Sequence, residues 1–333
     1  MTRVALLGCG SMGTTHAHAY KSMKNVRVVA VCDIRKEQRE FVASLLDCPA
    51  CASYEEMKQH YEWDMLDVCL PTYLHPEYAL DAMQEKKHVF CEKPIALTVS
   101  DAQRMIDTAK EHGVLFTVGH VLRFFPPYQQ AVKEIERGRV GIPRLIRTLR
   151  NQPFPPWSWE LWYQDTSKSG GPEIDLAIHD YDFIAHHFGT VDRVYAKSFG
   201  TERKDQMHSL AILRLKNGSM AHVEASWAMP QGSGLRMGFE VVGTEGQLCW
   251  DSHKDTPLKT ILDIEESDPL TLQNPMMGKM DPYATQLRAF IQAIEKGTEI
   301  PVKPEEALAA LKIGLAAIKS AQTGTAVRLE EVK

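Results

Sequence analysis

The chain has 333 residues, 44% of them hydrophobic and 24% charged, with 38 Lys+Arg against 43 Asp+Glu for a net charge of -5. That length suits two domains of roughly 150 residues, each able to bury a core without disulfides or a structural metal. The weakly acidic balance excludes general nucleic-acid binding and anionic membrane surfaces, which call for a basic face, and no apolar run reaches the length of a membrane span.

After Met1-Thr2-Arg3 the chain runs straight into Val4-Ala5-Leu6-Leu7 and a glycine cluster, so no targeting segment is expected. Apolar runs at residues 4–7, 26–31, 66–70, 89–91 and 114–118 lack alternation, as strands buried on both faces should. Amphipathic stretches at 37–46, 76–85 and 100–112 predict intervening helices, the last with Ser100 as N-cap and Gly113 as its stop. Strand and helix in alternation predict a doubly wound parallel sheet. Of the seven cysteines, Cys9, Cys32, Cys69 and Cys91 sit in or just after these runs. An odd count at such positions reads as reduced thiols in a cytoplasm. Cys48-Pro49-Ala50-Cys51 has no second pair nearby and is expected to carry no redox or metal chemistry.

The rhythm changes after Arg123. Phe124-Phe125-Pro126-Pro127 reads as a turn, followed by a helix stopping near Gly138 and a strand at 144–150. A stretch rich in Pro and Trp follows, with Trp157, Trp159 and Trp162; Trp157-Ser158-Trp159 reads equally as a sugar-stacking platform or a packed loop. One helix is expected over 173–188, entered through Pro172-Glu173. Residues 191–263 read as consecutive strands. Within them, 210–216 and 219–227 flank Asn217-Gly218, a strong hairpin signal, and alternate apolar with polar side chains. Helices at 284–296 and 304–322 and a short strand close the chain.

Gly8-Cys9-Gly10-Ser11-Met12-Gly13 is a G-x-G-x-x-G cluster between a predicted strand and a predicted helix, the setting of a dinucleotide fingerprint. Gly8 permits the tight turn, Gly10 lets backbone approach a pyrophosphate, and Gly13 lets helix pack on strand. Ser11 and Met12 then open the helix whose N–H groups face the phosphates. Asp33 lies twenty residues beyond Gly13 at the end of the second strand, where an acid accepts hydrogen bonds from ribose hydroxyls. With Ile34 and Arg35 it is assigned to the adenosine end. A carboxylate there repels a 2′-phosphate and selects NAD; Arg35, able to pair with that phosphate, keeps NADP as the alternative. Glu92-Lys93-Pro94 follows the fourth strand, placing Lys93 beyond a carboxyl end, where ligands of open α/β sheets bind.

Downstream, Ser169-Gly170-Gly171-Pro172-Glu173-Ile174-Asp175 leads into His179-Asp180. On one helix Asp175 and His179 stand at i and i+4, with Asp182 and His186 extending that face and Ile174, Ile178, Tyr181, Ala185 and Phe188 on a core face. Asp175 would orient the His179 imidazole and stabilise its protonated form, as a base requires. No metal is expected: His186 and His187 diverge on a helix, and no Cys or Glu completes a set with His179.

Taken together these features resemble the Gfo/Idh/MocA oxidoreductase family over nearly the whole chain, the specific part being Glu92-Lys93-Pro94 combined with Asp175 and His179. Pro71-Thr72 and His75 match as well. The resemblance implies an α/β protein: an N-terminal Rossmann domain with a doubly wound parallel sheet, residues 1–123, and a C-terminal α/β domain, residues 124–333. The second domain would carry an open, mainly antiparallel sheet serving as the interface of a homodimer or homotetramer. Pro71, Thr72, His75, Glu92, Lys93, Pro94 and Trp162 would line the cofactor, and Lys93 and His179 would be the catalytic pair, assisted by Asp175. Arg123 and Tyr163 would join them at the substrate. Tyr163 stands where many members have Arg, and Pro172 where many have a third glycine. The implied activity is hydride transfer between nicotinamide and a secondary alcohol or ketone of a sugar, inositol or sugar derivative, in the cytoplasm. The alternatives are a dinucleotide-binding sensor without catalysis, against which the retention of Lys93, Asp175 and His179 weighs, and an NAD-dependent glycosidase.

Overall fold

Alternating apolar runs and amphipathic stretches produce, in the computed structural model, the strands β1 (Thr2–Leu7), β2 (Val26–Cys32), β3 (Ala50–Cys51), β4 (Met65–Val68), β5 (His88–Cys91) and β6 (Phe116–Val118). Residues 1–156, 158–200, 207–253, 259–262, 270–271 and 281–333 are described; Trp157 and the parts of the 191–263 strand region at 201–206, 254–258 and 263 lie outside them. The six strands pair in parallel in the order β3-β2-β1-β4-β5-β6. The order reverses between β1 and β4, which puts the ligand-binding switch point at their carboxyl ends. Helices α1 (Ser11–Lys21), α2 (Lys36–Leu46), α3 (Tyr54–His60), α4 (His75–Gln84) and α5 (Val99–His112) connect them.

Two details differ from the sequence expectation. The N-cap of α5 is Thr98, whose extended backbone lets its Oγ1 accept the Asp101 N–H at 3.0 Å; Ser100 is already inside the helix. The segment after Cys48 holds a short strand and a helix, β3 and α3. Cys51 pairs in register with Cys32, which gives the second cysteine of that motif a place in the sheet. All seven cysteines are free, and burial pushes the thiols of Cys51 and Cys48 up to about 11 and about 12, well away from thiolate chemistry.

The remaining elements are α6 (Pro126–Glu136), β7 (Pro143–Asn151), α7 (Thr166–Ser169), α8 (Gly171–Asp175), α9 (Ile178–Phe188), β8 (Val191–Phe199), β9 (His208–Leu215), β10 (Met220–Ser226), β11 (Arg236–Gly243), β12 (Gly246–Asp251), β13 (Lys259–Leu262), β14 (Leu270–Thr271), α10 (Pro282–Lys296), α11 (Pro304–Thr323) and β15 (Val327–Arg328). A nine-stranded sheet runs β14-β13-β12-β11-β7-β10-β9-β8-β15. Every described pairing in it is antiparallel except β10 with β7. The β9–β10 hairpin turns at Asn217-Gly218, with Gly218 at φ +92° as that turn demands. Its inward residues Leu213, Leu215, Ala221 and Val223 are buried, and Arg214 and Lys216 face water.

The chain divides into Met1–Val121 with Met280–Leu308, and Leu122–Lys279 with Ala309–Lys333. The sequence division at 123/124 puts residues 280–308 in the second domain; by packing they group with the first unit, whose core α10 enters. Leu287, Phe290 and Ile291 are buried in one cluster with Val4, Leu6 and Phe90. Phe290→Ala therefore removes a fully buried ring from beneath the parallel sheet. The expected cost is about 3–5 kcal/mol, read as a lowered urea midpoint; a change below about 1 kcal/mol would refute this placement.

Candidate functional site

The glycine cluster takes the turn its spacing requires. Gly8 has φ +95°, and a Cβ there would lie 2.4 Å from the Cys69 carbonyl oxygen. A Cβ on Gly13 would lie 1.9 Å from the Gly8 carbonyl oxygen, so α1 rests directly on the loop. A Cβ on Gly10 would meet only the Arg35 guanidinium at 3.4 Å, which leaves its outer side open. Ser11 and Met12 form the first turn of α1, and Gly10 offers no side chain to cap it. Backbone N–H groups at a helix start beside an open glycine suit a pyrophosphate, so these residues fit a dinucleotide.

Asp33 sits next to this loop. Its Oδ2 accepts from the Cys9 N–H at 2.8 Å and from Arg35 Nη2 at 3.0 Å, and its Oδ1 accepts from the N–H and Nε of Arg35 at 2.8 and 3.0 Å. Burial opposes ionisation, but the Arg35 and Cys9 bonds outweigh it and hold the carboxyl below the usual range. Asp33 thus fastens the glycine loop as well as standing where the ribose is expected. Ile34 is exposed beside it.

The carboxyl ends of β4 and β5 are joined by His75. Its Nδ1 lies 2.8 Å from the Pro94 carbonyl oxygen and its Nε2 lies 2.9 Å from that of Leu70. The ring is buried, which lowers its basicity. His75 therefore braces the Pro71-Thr72 segment against the Glu92-Lys93-Pro94 segment. Cys69 closes on Gly8 of the glycine loop, and Pro71-Thr72 and Pro94 follow beyond the carboxyl ends of β4 and β5.

Beneath Lys93 lies a network that the sequence reading missed. Asp67 in β4 accepts from Tyr20 Oη at 2.7 Å and sits 2.9 Å from His16 Nδ1; His16 Nε2 is 3.2 Å from Glu92 Oε1 in an ion-pair contact. His16, Asp67 and Glu92 are all buried. A charged residue inside the apolar run Met65-Leu66-Asp67-Val68 was the signal available. His16, Asp67 and Cys69 bring three potential ligand atoms within 4.8 Å of one another. A metal there would have to displace protons from both the imidazole and the thiol. Burial would push His16 down, but Asp67 outweighs it and holds the imidazole well above its ordinary value, and burial raises the Cys69 thiol. Ligation needs a neutral imidazole and a thiolate.

In the second unit the expected helix over 173–188 is broken. α8 ends at Asp175 and α9 begins at Ile178, so Asp175 and His179 are not an i,i+4 pair on one helix. Asp175 is buried and His179 half-buried. The separation into an apolar and a polar face also fails: Asp180 and Asp182 are as buried as Ile178 and Tyr181, and Ala185 is only partly so. Asp180 and Asp182 each have a cation. Arg150 Nε donates to Asp180 at 2.8 Å. Arg123 donates to Asp182 through Nε at 2.8 Å and Nη2 at 2.6 Å. The Arg123 guanidinium, expected to face substrate, is thus held in a bidentate pair with a side chain only 7% exposed. Glu173 accepts from Tyr181 Oη at 2.6 Å and from Ser209 Oγ.

Gly170 and Gly171 have φ +72° and +68°, and a Cβ on Gly170 would strike the Ile174 side chain. Ser169 Oγ donates to the Tyr163 carbonyl at 3.0 Å and accepts from the Gly171 N–H at 3.1 Å. Trp162 stacks on Tyr163 at 4.0 Å, and Tyr163 meets the edge of Trp227. Trp162, Tyr163 and the Gly-Gly segment therefore form one assembly leading to Asp175.

Among the described residues no helix is long and apolar enough to cross a membrane. A family model described as "Oxidoreductase family, NAD-binding Rossmann fold" (GFO_IDH_MocA) matches residues 2–120. Its companion, "Oxidoreductase family, C-terminal alpha/beta domain", matches residues 132–329. Myo-inositol 2-dehydrogenase of Thermotoga maritima is 30% identical, with 99% of each chain covered. The scyllo-inositol 2-dehydrogenase (NAD(+)) of Bacillus subtilis is 28% identical over 98% of this chain and 96% of its own. The crystal structure of a probable dehydrogenase from Thermotoga maritima superposes with a TM-score of 0.83 at 27% identity, covering 99% of this chain and 100% of that one.

The 1.9 Å approach at Gly13 makes a direct prediction. Gly13→Ala must push the loop off α1 and is expected to weaken NADH binding at least about tenfold, or ~1.4 kcal/mol, in a fluorescence titration. Unchanged affinity would show that the loop does not carry the dinucleotide.

Proposed function

Starting from the fact that this chain belongs to the Gfo/Idh/MocA oxidoreductase family, we propose that it oxidises a secondary alcohol of a cyclic polyol or sugar, with Lys93 and His179 as its proton-handling pair. It is an NAD(P)-dependent oxidoreductase with a Rossmann domain. The inositol class of substrate is supported by two relatives that span nearly the full length, named as myo-inositol and scyllo-inositol 2-dehydrogenases. The observation that carries the reading is the bracing of the Glu92-Lys93-Pro94 segment to the end of β4 through His75, at the switch point that also holds the glycine loop.

The bound nicotinamide supplies the hydride acceptor. The remaining work falls to the protein's own groups. Backbone N–H groups from Ser11 onward hold the pyrophosphate without any need for a basic surface. Lys93 Nζ donates a hydrogen bond to the substrate oxygen and stabilises negative charge as it develops. His179 takes the hydroxyl proton, and Asp175 favours the imidazolium that results. Pro71, Thr72 and Trp162 flank the cofactor, and Tyr163 contributes to the substrate wall. Arg123 acts from behind by fixing Asp182 in α9.

Asp33 favours NAD over NADP because its carboxylate, kept ionised beside Arg35, would face a 2′-phosphate. A homo-oligomer built on the second sheet is supported by Tyr195, Ile212 and Met220. They share the sheet face opposite the core and are 38–46% exposed. Seven free thiols suit the reducing cytoplasm.

Two measurements test this. Lys93→Ala and His179→Ala should each keep NADH affinity and lose at least about a hundredfold in kcat, assayed by NADH formation on a panel of inositols and aldoses; near-normal turnover in both refutes the mechanism. Asp33→Ser should raise the NADP to NAD ratio of kcat/KM by about tenfold or more, and an unchanged ratio would remove Asp33 from cofactor selection.

A further inference from the structure

We propose that His16 is a positioning residue that sets the segment carrying Lys93, by bridging Asp67 in the sheet to Glu92 in that segment. The inference rests on the dehydrogenase reading above for its kinetic consequence, and on geometry for the rest. His16 belongs to α1, the helix whose first turn faces the dinucleotide. Its two ring nitrogens lie beside two different carboxylates: Nδ1 is hydrogen-bonded to Asp67 Oδ2 at 2.9 Å, and Nε2 is 3.2 Å from Glu92 Oε1, an ion-pair contact outside hydrogen-bond alignment. A neutral ring would set one lone pair against a carboxylate oxygen. Only the imidazolium is attractive to both.

The surroundings agree with a fixed charge. Besides the two carboxylates, the groups facing the ring are Cys69 Sγ at 3.3 Å from Nδ1, Phe90 edge-on at 5.4 Å and Tyr283 at 6.4 Å. Tyr20 Oη donates to the same oxygen, Asp67 Oδ2, at 2.7 Å. Burial works against the charge on Glu92, but His16 and Lys93 outweigh it and hold Glu92 below the usual carboxyl range. The charges therefore alternate from the interior outward: Asp67 negative, His16 positive, Glu92 negative, Lys93 positive.

Glu92 transmits the constraint. Its Oε2 accepts the Lys93 backbone N–H at 3.2 Å, one residue away. Gly119 closes the other side, since a Cβ there would lie 2.6 Å from Glu92 Oε1. The carboxylate is thus gripped by His16, by the absence of a side chain at 119 and by the Lys93 peptide. Loss of His16 frees the carboxylate to turn, and the Lys93 peptide loses its acceptor. None of these groups needs to touch substrate, so the effect belongs to Lys93 placement.

The test uses the full chain with His16→Gln and, as a near-isosteric second variant, Glu92→Gln. The Lys93 amide should exchange with deuterium at least about tenfold faster in both variants, with β1 and β4 staying as protected as in the parent. On an inositol substrate, kcat should fall about tenfold or more in both variants, and in His16→Gln NADH affinity should change less than about threefold. In the unaltered protein, ¹⁵N-histidine spectra should show His16 with both ring nitrogens still protonated above pH ~6.5, the ordinary histidine value. That last measurement stands even where a variant fails to fold. A neutral His16, unchanged Lys93 exchange, equal loss of protection throughout α1, β1 and β4, or a stoichiometric metal on His16 would each overturn the proposal. If the unaltered protein reduces no NAD with any polyol, the dehydrogenase reading fails, and exchange and ring protonation still decide this one.

Discussion

A carboxylate taken out of water must be met by a cation or by several hydrogen-bond donors, and that requirement runs through both units of this protein. Asp33 is met by Arg35 and the Cys9 N–H, Asp67 and Glu92 by His16, Asp180 by Arg150, and Asp182 by Arg123. Glu173 has no cation at hand and is met by two hydroxyls; burial keeps it above the usual carboxyl range. Such pairs add little net stability, because desolvation takes back most of the attraction. Their effect is on placement. Removing one partner strands the other charge, so each pair penalises arrangements in which its two elements are apart.

In the first unit the pairs tie loops to the sheet. Arg35 and Asp33 hold the glycine loop, and His16 with Glu92 holds the segment that precedes Lys93. In the second unit they make it tolerable to bury two acids of α9, Asp180 and Asp182. A helix with Asp180 and Asp182 fully inside would otherwise be excluded. The cations come from β7 and from the short helical turn at 121–124. They pair both inward-facing acids of α9 and so seat the helix firmly, and His179 in its first turn inherits that rigidity.

The sequence was most legible where the determining residues are neighbours. The glycine spacing in residues 8–13, Asp33 twenty residues on, and Asn217-Gly218 between alternating strands are all read within one short window, and the fold agrees with each. What was not legible depends on residues far apart in the chain. His16 meets Asp67 across 51 positions, Arg123 meets Asp182 across 59, and Arg150 meets Asp180 across 30. A periodicity argument put Asp175 and His179 on one helix. It could not register that Leu176 and Ala177 would interrupt it, beside an Ile174 packed closely against Gly170 and, 140 positions on, Gly314. Likewise the amphipathic pattern of α10 shows that it buries one face, and says nothing of which sheet receives it.

That last placement has a consequence for how the chain is made. A ribosome delivers residues from the N terminus, and all six strands of the parallel sheet have emerged by Val118. Leu287, Phe290 and Ile291, which pack with Val4, Leu6 and Phe90, follow more than 160 residues later. Throughout that interval the nascent sheet carries a bare apolar face, the kind of surface that chaperones bind and that associates with its like. The nucleotide-binding half is thus first in the sequence and among the last parts to be completed.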